Sequence, residues 1–283
     1  MRGGYCGFGR EENHTVTFRM TDEQKEIREQ ILRICARFDD DYWLERDRNG
    51  GFPYELHRAM ADGGWLGIAM PEAVGGAGLG ITEATIMMQA IAESGAGASG
   101  ASAIHMNIFG LNPVVKFGTE EQRARMLPPL IAGDEKACFA VTEPTTGLDT
   151  TKLKTMAMRQ GGRYVVHGQK VWISTAQVAH KMLLLARTTR IEDLTDPTEG
   201  LSLFYTDLNR NFVDVREIEK MGRKAVDSNE VFIDGLPIPA EDLIGEEGKG
   251  FRQILHGLNP ERILVAGECI GIARNALVRA AKY

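Results

Sequence analysis

The sequence has no block of clustered lysine and arginine, and its formal net charge is -6. That balance argues against a nucleic-acid or anionic-membrane surface, although a local basic patch can still hold a phosphorylated ligand. No uninterrupted apolar run is long enough to cross a bilayer. Cysteine is scarce: Cys6, Cys35, Cys138 and Cys269 lie far apart, with no C-x-x-C pair. The thiols are expected to stay reduced, which fits the cytoplasm, with the mitochondrial matrix as an alternative. The six histidines form no H-E-x-x-H arrangement, so no metal site is expected. There is no internal repeat and no low-complexity tract. The first residues carry no apolar h-region, so they are not a secretory signal. Residues 1–19 read as a disordered leader.

What is present is an ordinary globular composition, 43% hydrophobic and 25% charged, over 283 residues. That length allows two or three modules with their own cores. From 20 to 136 the apolar period is helical. Thr21-x-x-Gln24 and Thr119-x-x-Gln122 are capping boxes. Further helices are expected over 53–62, 82–93 and 101–117. From 137 to 245 the period becomes two, with strands expected near 164–173, 181–188, 201–208, 212–219 and 229–234. Gly161-Gly162 and Asp234-Gly235 read as turns. This region is expected to be a compact β-barrel or sandwich. Strands and helices do not alternate, which argues against a doubly wound dinucleotide fold. From 246 to 283 the helical period returns. The fold class is therefore α+β and multidomain. It comprises an N-terminal helical domain, a central β-barrel or sandwich, and the start of a C-terminal helical bundle.

The glycine-rich run at 75–80 fits G-x-G-x-x-G in no register and follows no strand, so it reads as a connector. Two other stretches carry chemistry. FAVTEPTTGLD at 139–149 ends a strand in a hydroxyl-rich turn. Thr142 offers a hydroxyl, and Thr145, Thr146, Gly147 and Leu148 offer backbone N–H groups that suit an anionic oxygen. A capped surface turn explains the same residues. GQKVWIS at 168–174 places Trp172 and Ser174 on one face at period two. An aromatic plane beside a hydroxyl suits a heteroaromatic ring. A core Trp with a solvated Ser is the alternative.

Together with MGRKAVDSNEVFIDGLPIP at 221–239, GEEGKGF at 245–251 and PEAVGGAGLG at 71–80, these motifs resemble the acyl-CoA dehydrogenase family of flavoproteins. The resemblance runs from about Met20 to Tyr283. It implies FAD, an acyl-CoA substrate and an electron-transfer flavoprotein as acceptor. It implies that Phe139, Val141, Thr142, Gly147 and Leu148 line the flavin and its ribityl-pyrophosphate. Trp172, Ile173 and Ser174 are then expected against the isoalloxazine. Leu148 stands where the family usually has Ser, which keeps the amide and loses a hydroxyl.

The implied reaction converts an acyl-CoA to a trans-2-enoyl-CoA, the α-proton going to a carboxylate base. Glu261 shares a helical stripe with Leu258 and Val265, and some family members place their base at this position. Alternatively, Asn259 caps a helix starting at Pro260 and Glu261 merely complements its dipole. Leu258 and Arg262 are expected to contact substrate, Arg262 on the CoA side. Met87 and Met88 are candidates for the acyl pocket or for the core. The family continues into a helical bundle that supplies further cofactor contacts and most of an oligomer interface. The full-length form is then expected to be a homo-oligomer, and this chain a truncated part of it. The competing expectation is a non-catalytic module of the same fold. Oxidases and flavin monooxygenases share the architecture as well.

Overall fold

The structure, a computed structural model, describes residues 19–283. The expected leader lies almost wholly outside the described residues. The helical region holds α1 (Asp22–Cys35), α2 (Asp40–Asn49), α3 (Tyr54–Asp62), α4 (Ile81–Ile91), α5 (Gly97–His105), α6 (Asn112–Phe117), α7 (Glu120–Met126) and α8 (Pro128–Ile131). Both capping boxes form, at Thr21 for α1 and Thr119 for α7. The apolar period around α2 is weak, yet Asp39 caps it by accepting from the Tyr42 amide. Ile27, Ile31, Leu56, Met60, Met87 and Met88 meet in one buried core. Met87 and Met88 are therefore packing residues.

The β region comprises β1 (Ala137–Ala140), β2 (Met156–Gln160), β3 (Arg163–Ser174), β4 (Lys181–Arg187), β5 (Leu201–Asp207), β6 (Val213–Glu217), β7 (Ser228–Pro239) and β8 (Leu243–Ile244). These strands make one mixed sheet in the order β6-β7-β3-β2-β4-β5-β8, with β1 parallel to β4. One face curls over its own core, where Met182, Leu184, Tyr164, Phe204 and Val231 gather. The alternate residues Leu183, Leu185, Leu203 and Tyr205 pack toward the helices. Burial on both faces explains why β4 reads as a nearly unbroken apolar run.

Asp234-Gly235 does not end a strand. β7 runs through it, and the pairing with β3 skips Gly235, whose φ is 71°. Only a residue tolerant of positive φ fits that bulge, so the glycine signal marked a bulge and not a turn.

The last element, α9 (Gly250–Lys282), is one continuous helix of 33 residues with Pro260 inside it. Glu261 is thus mid-helix, and a helix start at Pro260 does not occur. Pro260 removes one amide, the bond it would give the His256 carbonyl. α9 packs on α4, α5 and α6 and reaches β5, so it spans both domains. Its other side exposes Ile263, Ile270 and Leu277.

Candidate active site

Three elements converge on a cleft of ≈ 770 Å³: the turn after β1, the end of β3, and α9. Two of the sequence motifs meet there through hydrogen bonds. The Val171 amide donates to the Thr142 carbonyl at 2.9 Å. The Lys170 ammonium donates to the Val141 carbonyl at 3.0 Å and to the Leu185 carbonyl at 2.7 Å. It also meets the Glu143 carboxylate at 3.0 Å, and both side chains are buried. Glu143 accepts the Lys154 and Thr155 amides as well. Burial pulls the Lys170 pKa down to about 8, opposed by the Glu143 charge. This buried pair fixes the turn, and its two ends lie too far apart in sequence to be paired by motif reading.

Within the turn, the Thr146 amide donates to the Glu143 carbonyl at 3.1 Å, so that amide is used internally. The amides of Thr145, Gly147 and Leu148 meet no acceptor among the described residues. Gly147 has open space around it; an added Cβ would meet only the Thr142 methyl, at 3.7 Å. The turn therefore presents free donors beside a position where backbone is accessible. Leu148 is fully exposed at the cleft rim.

At the end of β3 the strand bulges between Lys170 and Ile173. Trp172 sits at φ 62° and Thr175 at φ 68°, both costly for side-chain-bearing residues. The bulge turns the Trp172 ring into the cleft, where it is 61% exposed. It also breaks the simple period-two reading. The Ile173 side chain is buried in the β core, so Ile173 borders the cleft without offering its side chain. Ser174 borders the cleft and accepts from Arg223 Nη2 at 3.4 Å.

On α9, Leu258, Glu261, Arg262 and Val265 all line the cleft. Burial raises the Glu261 pKa above the ordinary carboxylate value of 4.5, against the pull of His105 and Arg262. The Arg262 guanidinium is held by Asn259 Oδ1 at 2.8 Å and is otherwise exposed. Phe139 and Val141 complete the wall beneath, Phe139 packing edge-on against Phe109 at 5.4 Å. Phe139, Val141, Thr142, Gly147, Leu148, Trp172, Ile173, Ser174, Leu258, Glu261 and Arg262 all border this cleft, whereas Thr145 and Thr146 do not line it and Met87 and Met88 lie in the helical core.

Among the lining residues not foreseen are His105, Glu268 and Arg223. His105 Nδ1 lies 2.9 Å from Glu268 Oε1. Glu268 continues the Glu261–Val265 stripe by three more residues, so helical spacing already held its signal. Arg223 belongs to a quoted motif, but nothing in its spacing points at the cleft.

The segment 21–134 matches the family model for the acyl-CoA dehydrogenase N-terminal domain, and 138–236 matches the middle domain. A probable acyl-CoA dehydrogenase of Bacillus subtilis, YngJ, is 30% identical over 275 residues. The match covers 95% of this chain and 70% of that protein. This chain belongs to the acyl-CoA dehydrogenase family. The caffeyl-CoA reductase-Etf complex subunit CarC of Acetobacterium woodii is 32% identical, over 84% of this chain and 62% of its own. The butyryl-CoA dehydrogenase structure from Megasphaera elsdenii superposes with a TM-score of 0.87 at 27% identity. It covers 95% of this chain, which spans 70% of that one.

Acyl-CoA dehydrogenases are flavoproteins, and the residues here suit such a group. The amides of Gly147 and Leu148 are free where the backbone is accessible, the Trp172 ring stands exposed in the cleft, and the Ser174 hydroxyl borders the same cleft.

Proposed function

We propose that this protein acts as an FAD-dependent acyl-CoA dehydrogenase, converting an acyl-CoA thioester to its trans-2-enoyl-CoA. The observation that carries the reading is Glu261, a carboxylate on the cleft wall whose proton affinity burial has raised. A base must be ionised to accept the α-proton yet basic enough to hold it, and partial desolvation supplies that balance. Glu261 takes the α-proton. Thr145, Gly147 and Leu148 give amides to the cofactor's anionic part, with Phe139, Val141 and Thr142 as its floor. Trp172 and Ser174 would border its ring, on either side of Ile173, whose side chain is buried in the β core. FAD, when bound, supplies the hydride acceptor. Leu258 orients the acyl group, and Arg262 faces the CoA side. The name of the Acetobacterium relative, which pairs it with Etf, supports an electron-transfer flavoprotein as redox partner.

Exchange of the thioester's α-hydrogen with heavy water tests the base alone. The protein is expected to catalyse that exchange, and Glu261→Gln to slow it by about a hundredfold or more. Equal exchange in the variant would assign the base elsewhere.

A further inference from the structure

Arg223 stands between β6 and β7 and reaches across to the helical domain. Its Nη1 donates to Ser102 Oγ on α5 at 2.7 Å, and its Nη2 to Ser174 Oγ at 3.4 Å. Both partners are neutral hydroxyls. Among the described residues no carboxylate lies within ion-pair distance of this guanidinium. The nearby acids are already engaged. Glu268 faces His105 at 2.9 Å, Asp40 pairs with Arg279, and Asp47 accepts the Arg223 backbone amide at 3.0 Å. That last bond holds Arg223 at φ 57°, a strained conformation for a side-chain-bearing residue. Backbone strain and two side-chain bonds thus fix a cation on the cleft wall.

The placement says which end of a substrate it meets. Glu268 stands seven residues beyond Glu261 on α9, about 10 Å along the helix. Ser102, His105, Glu268 and Arg223 all border the cleft there, so this end is polar where an alkyl tail would want an aliphatic wall. Burial depresses the Arg223 pKa, and only the more distant charges of Glu268 and Asp227 oppose it. A partly buried guanidinium without an acid partner is relieved by a carboxylate, which its planar fork binds in bidentate fashion.

We propose that Arg223 is a specificity-determining residue that selects acyl thioesters whose chain ends in a carboxylate. The idea rests on the thioester reading above. It adds that the acyl group is that of a dicarboxylic acid, its far carboxylate meeting the guanidinium between Ser102 and Ser174.

The test is calorimetric binding of two CoA thioesters to the FAD-supplemented chain. One carries a dicarboxylic acyl group, the other the monocarboxylic acyl group of matched length. The dicarboxylic thioester is expected to bind about tenfold tighter or better. Arg223→Gln is expected to abolish that preference, and Arg223→Lys to keep part of it. A melting curve checks that each variant is folded, and the lysine variant serves if the glutamine variant is not. Equal binding of the two thioesters to the wild-type chain, or a preference that survives Arg223→Gln, overturns the role of Arg223. Binding of neither thioester overturns the thioester reading itself, and the inference with it.

Discussion

At the residue scale, Glu261 carries opposite consequences for catalysis and stability. Its pKa is raised in the folded chain. The base works only when ionised, so flavin reduction is expected to speed up as pH rises through that raised value. A single-turnover pH profile should place the midpoint above 4.5, the ordinary value. For stability the sign is reversed. The folded state favours the neutral acid, so stability falls as pH climbs from the unfolded to the folded pKa. Glu261→Gln is therefore expected to melt slightly higher than wild type at neutral pH while losing activity. A variant that melts lower would mean the ionised carboxylate has a stabilising partner. Glu261 was legible in the sequence because its stripe repeats every three or four residues. Arg223 was not, since its role depends on a strained backbone and on a serine 121 residues away.

At the element scale, the turn after β1 is held by Lys170 and Glu143. Removing one partner leaves the other buried and charged. Lys170→Met is expected to cost about 3–5 kcal/mol in denaturant unfolding. A loss below 1 kcal/mol, within the range of exposed pairs, would show water reaching Glu143. Two glycines in the motifs should respond in opposite ways. At Gly147 a Cβ meets only ordinary contact, so Gly147→Ala should leave the melting temperature nearly unchanged and weaken FAD binding. At Gly168 a Cβ would fall 2.4 Å from Thr155 Oγ1, so Gly168→Ala should destabilise by about 1–3 kcal/mol. Strand positions were readable from alternation, and capping boxes from four-residue signatures. The bulges at Trp172 and Gly235 were not, because one extra residue changes which side chains face the core without changing composition.

At the scale of the whole molecule, α9 couples the two domains and carries Glu261, the proposed base. It approaches α4 through Gly267 and Gly271. An added Cβ at Gly271 would stand 2.3 Å from the Gln89 carbonyl oxygen, and one at Gly267 2.6 Å from the Thr85 methyl. Gly271→Ala gains roughly 1 kcal/mol of helix propensity, but overpacking costs about 1–3 kcal/mol. A net loss of stability is expected, with a larger loss of activity because Glu261 shifts with its helix. The succession of a helical region, a β region and a final helix was legible from the change of apolar period along the chain. The crossing of α9 over both domains was not, since glycine spacing in a helix does not name the surface it approaches. The most direct measurement is an anaerobic titration of the FAD-loaded chain with an acyl-CoA, followed in the visible flavin band. Wild type should bleach, and Glu261→Gln should bind the same thioester without bleaching. Equal bleaching by both, or no flavin held with FAD in excess, would contradict the account.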